Sequence, residues 1–154
     1  MTNRRLIKFH FFDNPGIGGS LIKWRLGSTV SHVGMEFEDD EFWHSTFTTG
    51  VISDRNYLKS HASVDSVEVW VTNEGYEKAL KYIRSNQNKK YDFTAILGFF
   101  VGRKVQNDDA FFCSEIGRGV FEEATGHRLK WPKLCAPHEL RIMAEMYMLL
   151  SAKD

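Results

Sequence analysis

Only two cysteines, Cys113 and Cys135, occur in 154 residues. That excludes a disulfide framework and makes reduced thiols the expectation. Neither sign of charge is in excess, because 20 Lys and Arg face 20 Asp and Glu. With no net charge there is no electrostatic argument for nucleic acid or an anionic membrane as partner. Long hydrophobic runs are missing too. Met1 to Lys8 carries Arg4 and Arg5, but no apolar run of seven or more follows, and the apolar stretch Ala95–Val101 is too short to cross a bilayer. The expectation is a chain with no secretory signal, lipidation cysteine or transmembrane segment, resident in the cytoplasm unless a partner or lysis exports it. Repeats, low-complexity tracts and dividing linkers are likewise absent. What is present, 42% hydrophobic residues with 12 Phe and 4 Trp, indicates one domain over residues 1–154 with an aromatic-rich core.

The pattern reads as an α+β layout, a small antiparallel sheet with packed helices. Strands are expected at 5–12, around 31–38 and 42–47, at 50–53 and at 64–71, where Val67, Val69 and Val71 alternate with Ser66, Glu68 and Trp70. Asn14 to Gly19 is turn chemistry, leading to a short helix from Leu21 to Leu26. A polar helical turn is expected near Asp54 to Ser60. Asn73 opens a helix with Tyr76, Leu80 and Ile83 as its apolar stripe to about Gln87. Two further helices are expected, Cys113 to Thr125, closed by Gly126, and about Pro137 to Leu150.

Chemistry concentrates in two segments, Ser31-His32-Val33-Gly34-Met35-Glu36-Phe37 and Phe111-Phe112-Cys113-Ser114-Glu115-Ile116. Ile116, Val120 and Phe121 recur at helical spacing after Cys113, which places the thiol at a helix N-terminus. Unpaired N–H groups and the dipole there favour a thiolate and can cradle an oxyanion. A buried, inert cysteine is the bland alternative. With Val33, Met35 and Phe37 on the core face, His32, Gly34 and Glu36 share the other, and Gly34 leaves room beside the imidazole. His44, twelve residues on, can fix the tautomer of His32 under a parity condition. An odd hairpin loop, such as Glu38-Asp39-Asp40, puts both histidines on one face, whereas two or four residues put them on opposite faces. Gly16-Ile17-Gly18-Gly19-Ser20 lacks the ending of a phosphate loop. Asp39, Asp40 and Glu41 fit a solvated hairpin tip, Cys135 a packed residue and His127 a helix end.

Ser-His-Val-Gly-Met, the polar residue twelve positions later, Gly50-Val51, Tyr91-Asp92 and Phe-Cys-Ser-Glu-Ile together resemble the NlpC-type papain-like superfamily. More narrowly they resemble its circularly permuted branch, the YiiX/YaeF-like proteins and the lecithin:retinol acyltransferase relatives, in which the His strand precedes the Cys helix. The resemblance spans roughly residues 10 to 140, including Ala136-Pro137-His138-Glu139-Leu140. It implies Cys113 as nucleophile, His32 as general base, His44 as its orienting partner and Tyr91 as a substrate-binding residue, with no cofactor and no metal.

The function expected is a thiol hydrolase of an amide or peptide bond, a cysteine peptidase or amidase acting through a Cys113 acyl-enzyme. Its substrate would be a peptide, a cell-wall fragment or an acyl compound, reached by a phage-encoded or delivered protein on lysis. The alternatives are an acyl transferase or lipid esterase of the same fold, a metal site built from His32, His44 and Cys113, and a binding module that has lost the chemistry.

Overall fold

The structure, a computed structural model, describes residues 4–14, 20, 23, 27–38, 40–90, 113–128 and 135–152. Five strands form one antiparallel sheet: β1 (Arg4–Phe12), β2 (His32–Phe37), β3 (Glu41–Thr46), β4 (Gly50–Ser53) and β5 (Asp65–Thr72), in the order β4-β3-β2-β1-β5. The helices in the described residues include a single turn, α1 (Tyr57–Ser60), then α2 (Asn73–Ser85), α3 (Cys113–Thr125) and α4 (Pro137–Ser151). This is the α+β architecture the hydrophobic pattern implies. Tyr91, most of the short helix expected from Leu21 to Leu26, and the stretches Ala95–Val101 and Lys104–Asp109 lie outside the described residues.

Period-two alternation makes the sheet two-faced. Ile7, Phe9 and Phe11 of β1, Val33, Met35 and Phe37 of β2, and Val67, Val69 and Val71 of β5 enter one core with the apolar sides of α2, α3 and α4. A Cβ at Gly117 would fall 2.8 Å from Leu140 and 3.4 Å from the Met35 sulfur, so glycine lets α3 settle onto both β2 and α4. The N-cap of α2 is Thr72, whose hydroxyl accepts the Gly75 N–H at 3.1 Å. Asn73 opens the helix as its first residue, as the sequence indicates. The last residue of β5 therefore also supplies the acceptor that starts α2. Glu139 reaches back to the Ala136 N–H at 2.7 Å, which satisfies one orphan donor at the start of α4.

The far side of the sheet carries a second cluster, Phe12, Phe42 and Tyr57 with Leu58 packed on it. The chain after α2 also covers the outer edge of β4. The Val51 N–H donates to Lys89 O at 2.9 Å and the Asn88 N–H to Val51 O at 2.8 Å, so that edge is not left open for pairing. Among the described residues, no helix is long and apolar enough to cross a membrane.

Candidate active site

Register places the two histidines. β1 pairs Phe12 with His32, β2 pairs Gly34 with His44, and the last β2–β3 pair, Phe37 with Glu41, leaves residues 38–40 as the hairpin loop. Three is odd, so His32 and His44 share a face. Asp40 takes a left-handed φ of 59°, as a three-residue hairpin loop requires near its end. The consequence is direct: His32 Nε2 lies 3.1 Å from His44 Nδ1, with the rings at 74°. Glu36 shares this face but is committed elsewhere, accepting from His10 Nε2 at 2.6 Å while His10 Nδ1 lies 3.3 Å from Ser63 Oγ.

Aromatic rings roof the pair. Phe12 stands 5.8 Å from the His32 ring, and Tyr57 stands 4.1 Å from His44 and 5.8 Å from His32. His61 stacks on the outer side of Tyr57 at 4.1 Å and 7°. The space expected beside Gly34 is filled rather than open. A Cβ there would collide with the Phe42 ring, so the missing side chain makes room for an aromatic that backs the histidines. His32 and His44 are consequently only 6% and 2% exposed. Loss of water around a would-be imidazolium pushes His32 down to about 3, assisted by His44 and His61. Burial likewise pushes His44 down to about 4, although the Asp54 carboxylate acts the other way.

Cys113 is the first residue of α3 and is fully buried. The β2–β3 register stops at Gly34–His44, one residue short of Val33. Cys113 belongs to the core cluster that includes Val33, the residue after His32. N–H groups of Val33, Ser114 and Cys113 itself all favour the thiolate, as the helix start predicts. Burial nevertheless outweighs them and pushes the thiol up to about 12. The thiolate expected at the helix N-terminus is thus overridden by desolvation, and at rest the thiol and the two imidazoles are all neutral. Ser114 ties this corner down, donating its hydroxyl to the Cys135 carbonyl while Cys135 Sγ lies 3.6 Å from Ser114 O. Cys135 is itself buried and pushed up to about 12, in keeping with a packed residue.

With Nε2 engaged by His44, the ring nitrogen of His32 left for a thiol proton is Nδ1. To accept there, His32 must carry its hydrogen on Nε2 and donate to His44 Nδ1. His44 then holds its own hydrogen on Nε2, a buried atom with no hydrogen-bond partner among the described residues. Among the described residues no group of three or more His, Cys, Asp or Glu is placed to hold a metal ion.

The chain matches no family model and no curated protein. Two neighbours of the site had no signal in the sequence reading. Tyr57 falls in a stretch that reads only as a polar turn, and Asn14, read as turn chemistry, donates its side-chain amide to the Tyr57 hydroxyl at 3.2 Å. The nearest sequence cue is an aromatic residue in an otherwise polar helical turn.

Proposed function

We propose that the protein is a thiol-dependent hydrolase of an amide or peptide bond, with a permuted papain-like arrangement in which the His strand precedes the Cys helix. Cys113 is the nucleophile, His32 the general base and His44 the partner that fixes its tautomer. The observation that carries this reading is the 3.1 Å contact from His32 Nε2 to His44 Nδ1, with Cys113 at the start of a helix that packs in the same core as Val33, the residue after His32. A base whose far nitrogen is occupied by a fixed acceptor presents the near one to a thiol, which is the logic of an oriented Cys–His pair.

In the reaction Sγ attacks the carbonyl carbon as its proton passes to His32 Nδ1. Collapse expels the amine, which takes that proton, and water hydrolyses the thioester. Acyl transfer to another acceptor, or lipid-ester cleavage, would use the same first half-reaction. A peptide or cell-wall fragment as the substrate, and a cytoplasmic or delivered mode of action, belong to the same proposal.

One observation favours a second reading, a binding module without chemistry: the thiol is wholly buried and pushed far toward its protonated form. A single experiment separates the two. Purified protein is incubated with p-nitrophenyl acetate near neutral pH, and the acylated residue is located by mass spectrometry. An acetyl thioester at Cys113, with a release burst lost in His32→Ala, supports the hydrolase. Absence of acyl-Cys113, or acylation indifferent to His32, leaves the binding module.

A further inference from the structure

A second histidine on the polar face of the sheet has a hydroxyl on one ring nitrogen and a carboxylate on the other. His10 Nε2 lies 2.6 Å from Glu36 Oε2, and His10 Nδ1 lies 3.3 Å from Ser63 Oγ. A carboxylate only accepts, so Nε2 carries the hydrogen and Nδ1 is left as a lone pair facing the serine O–H. Among the described residues Ser63 Oγ has no other hydrogen-bond partner. The imidazole is 6% exposed, stacked on Phe12 at 6.3 Å and edge-on to Phe42 at 5.9 Å, so its ring is fixed. Ser63 itself is partly exposed, with Ala62 and Val64 exposed on either side. The hydroxyl is not needed to hold its loop. The Val64 N–H already donates to Phe11 O at 2.8 Å, and Asp65 pairs with Phe11 at the end of β5. A neighbouring serine supplies a contrast. Ser60 Oγ lies 2.9 Å from His61 Nδ1 but also 3.2 Å from Tyr57 O, and among the described residues His61 has no carboxylate to orient it.

We propose that Ser63, His10 and Glu36 form a second nucleophilic site, independent of Cys113, that takes the acyl group of small carboxylic esters reaching it from solvent. Ser63 is the nucleophile, His10 its general base and Glu36 a positioning residue that acts through His10. Oγ attacks the ester carbon as its proton passes to His10 Nδ1. The C–O bond then breaks, and the alcohol leaves with that proton. Water, deprotonated by His10, cleaves the acyl-Ser63 ester and releases the acid. Burial holds His10 below its ordinary value although Glu36 acts the other way, so the base is neutral and ready at pH 7. Phe42 separates the two sites, standing 5.9 Å from His10 and 5.5 Å from His44.

The test uses diisopropyl fluorophosphate, with the adduct located by mass spectrometry. Oγ attacks phosphorus, the P–F bond breaks, fluoride leaves, and the hydroxyl proton passes through His10 to solvent. Ser63 is expected to be phosphorylated well ahead of Ser60, its neighbour without an oriented base. Losing a general base slows such a step by about 10²–10⁴-fold, the fall expected at Ser63 in His10→Gln. Labelling should rise as His10 loses its proton, at a pH below its ordinary value of 6.5. Glu36 on β2 and Lys8 on β1 are the charged groups acting on His10, and of these Glu36 raises its pKa. Glu36→Gln should therefore slow the labelling and move its inflection to lower pH, a shift that a merely structural role would not produce. Three results would each overturn the proposal: no adduct at Ser63, labelling of Ser63 no faster than of Ser60, or a pH profile unmoved in Glu36→Gln. Because Glu36 is partly exposed, that variant keeps the test decisive even where His10→Gln fails to fold. The fate of Cys113 in any ester assay has no bearing on these outcomes.

Discussion

Mild acid should unfold this protein through the histidine pair. Both imidazoles are buried neutral, His32 with its pKa lowered from 6.5 to about 3 and His44 from 6.5 to about 4. Below the unfolded value, the unfolded chain binds protons that the folded chain refuses, so stability is intact above pH 6.5 and falls as pH drops toward the folded values. Between about pH 7 and about pH 5 each histidine should cost about 2 kcal/mol, near 4 kcal/mol for the pair, a large share of a typical domain's stability. His10, also lowered by burial, adds in the same direction. The assay is urea unfolding at closely spaced pH values, read as the midpoint at constant slope. His32→Gln should lose about half of the pair's pH dependence, retaining about 2 kcal/mol across the same interval. A wild type whose stability is flat from about pH 7 to about pH 5, or a variant with an unchanged slope, would refute the claim that burial holds these imidazoles neutral.

Three further outcomes follow from the same geometry. Gly34→Ala should destabilise the fold by about 1–3 kcal/mol, because the added methyl meets the Phe42 ring in a closed space; denaturant titration showing no change would contradict that packing. Thr72→Ala removes the hydroxyl that caps α2 at Gly75 and should cost about 1 kcal/mol by the same measurement, with Thr72→Ser restoring most of it. His44→Phe keeps a ring beneath Tyr57 but deletes the acceptor for His32 Nε2. Acetylation of Cys113 should fall by at least about 10-fold, with the protein still folded by circular dichroism; a variant acetylated at the original rate would deny His44 its orienting role.

The sheet was legible because strands announce themselves by alternation and turns by their residues. Val67, Val69 and Val71 point inward as the period demands, and the His32–His44 relation reduced to counting the loop between Phe37 and Glu41. The helix from Cys113 to Thr125 has its bounds in the sequence because Ile116, Val120 and Phe121 recur before a terminating Gly126. What sequence could not give was depth. Period two separates the faces of β2 but does not say that Phe12, Phe42 and Tyr57, from three different elements, close over the polar face as well. For the same reason a helix start suggested a thiolate at Cys113, whereas burial sets the protonation state. Thr72 as cap, one residue ahead of Asn73, was hidden by its place in a strand that already reads well.

Desolvation of both partners constrains how any chemistry at this site could proceed. Ionising the Cys113 thiol alone, with its pKa near 12, would cost about 7 kcal/mol at neutral pH. Protonating His32 alone, near 3, would cost about 5 kcal/mol. Neither charge is therefore made first. Moving one proton from Sγ to His32 creates both charges at once, and their attraction in a dry pocket offsets part of each cost. Attack on a carbonyl goes further, since the negative charge leaves sulfur for an oxygen that a fixed donor can meet. A site of this kind stays silent until a carbonyl arrives, and it should discriminate sharply between acyl donors and simple alkylating agents. On the hydrolase reading, burial acts as a selectivity filter on the thiol.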